Sequence, residues 1–212
     1  MRAVGPDPYR RSMSASSTSR APVPSHAVAA APALVQPSAA AGHAVRATVA
    51  VILGSALIGG LTSPAQQYLP SWINSLANSA GGWTAFVFLL VWLARARPIL
   101  AVVLGVVAFE TMVEAYGLVS GWRGHYYSAP FSSIWSGIGL VVGPIMGVAA
   151  TAARYGSRGW RLLGVAALSA VLIADGTHGL LVLLTSTSPV FWTLEIVAGA
   201  SFFALALVRV RR

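Results

Sequence analysis

The chain has 212 residues, 56% of them hydrophobic and only 9% charged, whereas soluble domains carry about a quarter charged residues. With a mean hydropathy of +0.72 and apolar runs close to the roughly 20 residues that cross a bilayer, an ordinary soluble domain is excluded. The net charge of +9 does not indicate a nucleic-acid partner, because the arginines stand singly or in small groups at the ends of apolar segments.

All 14 basic residues are arginine, as in a GC-rich bacterial genome. Cysteine is absent, which excludes disulfides, thiolate metal centres and cysteine nucleophiles. Residues 1–42 are rich in Ala, Pro and Ser and have too little bulky apolar surface to offset the entropy of ordering, so they read as a disordered cytoplasmic tail. Two other readings of the tail are a targeting peptide and an overlong gene start. The distance to the first apolar run after Arg46 and the lack of a clear small-residue cleavage site speak against the targeting peptide, which leaves the overlong gene start as the alternative.

Residues 43–212 read as an all-α, polytopic bundle of six transmembrane helices. The first span is 46–63. After it, Trp72, Ile73, Leu76 and Ala77 alternate at helical spacing with Asn74, Ser75 and Asn78, which predicts a short helix lying at the outer interface. The next apolar core, "WTAFVFLLVWLA" from Trp83, is about 18 Å of helix and too short to cross alone. It must borrow the polar "LANSAG" segment, whose backbone then dips to membrane depth under the shelter of protein or water.

The remaining spans are 98–120, 132–153, 160–184 and 189–208. In the fourth span Gly139, Gly143 and Gly147 form a small-residue stripe that suits close helix packing, within one chain or between copies. Pro144 is expected to bend that helix.

Six spans put both termini on one side. The tail, Arg46, Arg95/Arg97, Arg154/Arg158/Arg161 and Arg209/Arg211/Arg212 then share a face, with Arg123 alone opposite. That asymmetry predicts cytoplasmic N and C termini in a bacterial plasma membrane. The expected partners are the lipid bilayer and, beyond it, a second copy or another membrane protein. No nucleic acid and no cofactor is expected.

Only five acidic residues exist. Apart from Asp7 they are Glu110, Glu114, Asp175 and Glu195, all inside predicted spans. At about 1.5 Å per residue they lie roughly 18, 24, 22 and 21 Å from the cytoplasmic side, with His178 near 27 Å. A carboxylate at that depth costs about 2.5–3.5 kcal/mol, so it faces a bundle interior or a water cavity. Glu110 and Glu114, one turn apart, repel unless they share a proton, bind a cation, or meet Arg123 folding inward. Asp175 and His178, at i and i+3, also share a face, and the histidine suits proton transfer.

Two readings stand side by side. In one, an outer-half acidic cavity binds a cation, a proton or a small solute, as in a small transporter. In the other, neutral acids bonded to Thr111, Tyr116, Thr177 or backbone only tie helices together, as in an accessory or scaffold protein. A metal site has suitable ligand types but no dense motif, and no paired nucleophile and base points to an enzyme.

The strings "LTSPAQQYLP", "LANSAGGW", "YGLVSGWRGHYY" and "GPIMGVAA", in that order, resemble a family of small integral membrane proteins common in high-GC actinobacteria, domain of unknown function 6518. The resemblance covers roughly residues 50–205 and implies a multi-span protein with no assigned activity. It emphasises Asn78, Ser79, Arg123 and Gly143-Pro144 rather than the glutamates. Asn78, Ser79 and Arg123 are therefore rival site candidates. Their plainer roles are helix cap and interfacial anchor.

Overall fold

The computed structural model describes residues 37–127 and 129–211; most of the expected tail, residues 1–42, lies outside them. Six helices follow in order: α1 (Pro37–Tyr68), α2 (Ala80–Ala94), α3 (Pro98–Trp122), α4 (Ile134–Tyr155), α5 (Arg158–Val182) and α6 (Pro189–Arg211). All but α2 are long and apolar enough to cross a membrane. The protein is a multi-pass membrane protein.

α1 starts at Pro37, several residues ahead of the expected boundary at 43. The expectation followed hydropathy, whereas "SAAAGHA" is rich in alanine, the best helix former, and proline is at home in a first helical turn. Between α1 and α2 the expected interfacial helix is only a five-residue 3₁₀ turn, Asn74–Asn78. It does not split cleanly into faces: Trp72 and Asn78 are exposed while Ser75 and Ala77 are buried. Asn74 explains the contraction, because its amide reaches back to the Gln66 carbonyl at 2.7 Å and competes with regular helix.

The 15 residues of α2 give about 22 Å of helix, so its first turn begins below the outer ends of its neighbours. α2 is the central element, packed against α1, α3, α4 and α5. Its Val87 and Val91 join Leu104, Phe109, Met112 and Met146 in the fully buried core. Leu53, Leu57, Leu140, Val141, Leu163 and Leu181 are exposed, the surface a lipid-facing bundle presents.

α3 and α4 meet almost backbone to backbone. A Cβ at Gly143 would stand 2.8 Å from the Gly105 carbonyl and from the Val106 Cα. Gly147 and Gly139 are similarly close to Ala101 and Phe109. The glycine stripe is thus used inside the chain, and α4 runs through Pro144 as one helix.

At the other end of α2, Arg154 donates to the Trp92 carbonyl at 3.0 Å and its guanidinium lies 4.6 Å from the Trp92 ring centre. The positive charge faces the negative end of the α2 dipole. Arg154→Ala is expected to lower stability by about 2 kcal/mol, from a charged hydrogen bond and a cation–π contact. Thermal unfolding in detergent measures it, and Arg154→Lys should recover only part because it keeps the charge without the planar stack.

Candidate acidic site at the buried N-terminus of α2

Ser79 is the N-cap of α2, and its Oγ accepts from the Gly82 N–H at 2.7 Å. The same Oγ lies 2.8 Å from Asp175 Oδ2 on α5 and 2.8 Å from Glu195 Oε1 on α6. The Gly81 N–H donates to Asp175 Oδ2 at 2.9 Å. One hydroxyl and one backbone amide of a helix start therefore hold two carboxyl groups from two other helices. Gly81 is what lets them approach: a Cβ there would collide with the Glu195 carboxyl and stand 3.1 Å from Asp175 Cβ.

α5 and α6 can deliver both acids because they also pack through glycine. A Cβ at Gly176 would stand 2.7 Å from the Trp192 carbonyl, and one at Gly179 would strike the Trp192 indole. Glu195 is 5% exposed, and its second oxygen is buried without a hydrogen-bond partner. Asp175, half-buried, takes the better place. It lies within hydrogen-bond distance of two donors at the start of α2, the Ser79 hydroxyl and the Gly81 N–H.

The hydrogen count restricts the chemistry. A serine hydroxyl donates one hydrogen and accepts up to two. One acceptor site of Ser79 goes to Gly82, and its hydrogen serves a single carboxylate. The contact to the other carboxyl is a hydrogen bond only if that carboxyl brings its own proton. One proton held between the two carboxyls satisfies both contacts. The pair can hold one exchangeable proton.

The other acids lie elsewhere. Glu110 is next to Gly139, where a Cβ would come 2.7 Å from Glu110 Oε1, and both of its carboxyl oxygens are buried without a partner. Glu114 Oε1 accepts from the Phe131 N–H at 2.9 Å and from the Tyr127 hydroxyl at 3.3 Å, tying the α3–α4 loop to α3. Tyr127 lies over Gly117. Burial and the Glu114 charge push its phenol up to about 12, so it stays a donor at any physiological pH.

The single acidic layer expected from depth is in fact two clusters. The α3/α4 side of α2 is filled by Trp83, whose ring centroid lies 6.1 Å from Phe109, 6.0 Å from Tyr116 and 6.2 Å from Trp135. His178 is exposed, on the far side of the α5 boundary from Asp175. Arg123 does not fold toward the glutamates. It donates to Ser63 Oγ at 2.9 Å and to Gln67, fastening the outer end of α3 to α1. Asn78 is exposed and accepts from Gln66 at 2.6 Å.

Two cavities open at this end. One, about 50 Å³, is lined by Ser79, Asn78, Ala77, Gln66, Trp83, Tyr116 and Trp135; at about 30 Å³ each it holds one or two waters. The second, about 230 Å³, lies beside Arg123 and shares Gln66 and Tyr116 with the first. Among the described residues no group of three or more His, Cys, Asp or Glu is arranged to hold a metal ion. The Ser79 bridge was the part that sequence reasoning missed. Ser79 itself was a candidate through the family resemblance; the signal for the bridge was "NSAGG" at the depth of Asp175 and Glu195, a cap serine followed by three residues without bulk.

A family model of unknown function, DUF6518, matches residues 38–212, and the chain belongs to that family. No curated protein and no solved structure matches it.

Proposed function

We propose that this member of a family of unknown function is a small permease-like protein of the plasma membrane, with cytoplasmic termini, whose working site is the Ser79–Asp175–Glu195 cluster. The cluster binds and releases one proton. The observation that carries this reading is the hydroxyl of Ser79 placed 2.8 Å from two carboxyl oxygens at once, which one hydroxyl hydrogen cannot satisfy.

Position supports it. Asp175 is seven residues before the end of α5 at Val182, about 10 Å inside the outer end. The small cavity gives Ser79 room for water. A helix that starts at membrane depth and presents its N-terminus to an ionisable cluster is an arrangement used by secondary transporters. When Glu195 loses its proton, a buried and a half-buried carboxylate face each other across Ser79, and their repulsion loosens α6 and α5 from the start of α2. Glu110, a half-buried residue whose two carboxyl oxygens are buried without a hydrogen-bond partner, is a second group able to carry a proton on the α3/α4 side.

A second reading has its own support: Asp175 and Ser79 are well satisfied, and Arg154 secures the opposite end of α2. On that reading the cluster only anchors a short helix in an accessory or scaffold protein. Glu195→Gln separates the two. Glutamine is the size of the neutral acid and can donate to Ser79 through its amide, so both readings expect folded protein. In proteoliposomes carrying a pH gradient, the permease reading expects proton flux in the native protein and at least a tenfold loss in Glu195→Gln. Absence of flux from the native protein, or equal flux in the variant, overturns it.

A further inference from the structure

The larger outer cavity has a lining of one chemical character. Arg123, His125, Ser120, Ser63, Gln67 and Tyr116 border it, and among the described residues no carboxylate does. The guanidinium of Arg123 is held by two neutral side chains, Ser63 and Gln67, and lies 5.8 Å from the Tyr68 ring centre. Neither hydrogen-bond partner neutralises its charge, and a guanidinium has five N–H donors, of which these bonds use two.

Ser120 supplies an independent sign. It is 3% exposed, yet its hydroxyl has no hydrogen-bond partner, an uncommon state for a buried polar group. Ser120, a cation with donors to spare and an exposed imidazole border one space. About 230 Å³ corresponds to seven or eight waters at about 30 Å³ each, below the roughly 300–1,000 Å³ of sites for drug-sized ligands.

We infer that this cavity, between the outer ends of α1 and α3, is a binding site for a small oxyanion, a phosphate or carboxylate group, seated on Arg123 with Ser120 and His125 beside it. Planar guanidinium donors match such groups in a bidentate fashion. Gln66 and Tyr116 border both cavities and are bonded to each other at 3.3 Å, while Gln66 also reaches Asn78. These three side chains partition the oxyanion site from Ser79. The site stands on its own observations and does not depend on proton movement at Glu195.

The test uses the purified full chain in nanodiscs of neutral lipid, titrated with inorganic phosphate against chloride at matched ionic strength. Saturable phosphate binding by calorimetry is expected, with affinity reduced at least tenfold in Arg123→Gln and in His125→Ala. Arg123→Gln also cuts the ties to Ser63 and Gln67; His125→Ala, at an exposed ring, keeps the comparison valid should the first variant not fold. Absence of saturable binding, or the same affinity in His125→Ala as in the native chain, overturns the site. Repeating the titration with anionic phospholipid identifies the source of the group. Loss of phosphate binding there assigns the site to a lipid headgroup, and unchanged binding assigns it to a free solute.

Discussion

Ser79→Ala is expected to remove roughly 3 kcal/mol of stability and to free the outer half of α2, the larger of the polar effects open to a single substitution here. The N-cap bond to Gly82 is worth about 1 kcal/mol. The contacts to Asp175 and Glu195 contribute about 1 kcal/mol each, and more where a buried acid loses its partner. Glu195 would be left with neither oxygen bonded to Ser79, at 5% exposure. Asp175 would keep the Gly81 amide. Thermal or denaturant unfolding in detergent reads the total, and hydrogen exchange at Gly81 and Gly82 reads the local part. Ser79→Thr, which keeps the hydroxyl, should recover most of the loss. A change under about 0.5 kcal/mol, the size typical of surface substitutions, would mean that Ser79 is only a cap.

Gly143→Val is expected to prevent folding altogether. The neighbours of an added Cβ are backbone atoms of Gly105 and Val106 at 2.8 Å, and they belong to a helix that cannot yield without separating α3 from α4. Overpacking of side chains alone costs about 1–3 kcal/mol; with backbone on both sides the effect reaches the exceptional range above about 4 kcal/mol. Gly137, on the same helix, has nothing within 4 Å of a Cβ. Gly137→Val should stay near neutral, within about 1 kcal/mol, the difference being helix propensity. The yield of monodisperse protein from size-exclusion chromatography compares the pair. Equal yields would contradict the intramolecular use of the glycine stripe.

The helices were legible because hydrophobic length is a one-dimensional property. The third span was expected at 98–120 and is Pro98–Trp122; the fifth was expected at 160–184 and is Arg158–Val182. The shortness of α2 was legible for the same reason. The start of α1 was not, since alanine extends a helix through propensity without raising hydropathy enough to mark it.

Depth brought Asp175 and Glu195 to one level, but depth says nothing about rotation around each helix. Asp175 and His178, three residues apart, are about 60° apart around α5, and the edge of its buried face passes between them. Glu110 and Glu114 share a face as expected, yet Glu114 is bound by a backbone amide from the following loop, a partner with no sequence signature. Arg123 reached Ser63 and Gln67 rather than the glutamates. That choice follows from how α3 lies against α1, which is set by the contact of Gly59 with the Met112 backbone.

The proposed role of the Ser79–Asp175–Glu195 cluster requires one exchangeable proton with Glu195 as its carrier. Infrared difference spectroscopy on the protein in lipid, taken across a pH titration, observes that proton directly through the carbonyl stretch of a protonated carboxylic acid. A buried acid band is expected in the native chain that disappears on deprotonation, is missing in Glu195→Gln, and shifts in Ser79→Ala as its hydrogen bond is lost. A band that persists unchanged in Glu195→Gln, or a native spectrum whose acid band does not titrate at any pH where the protein is folded, would contradict it.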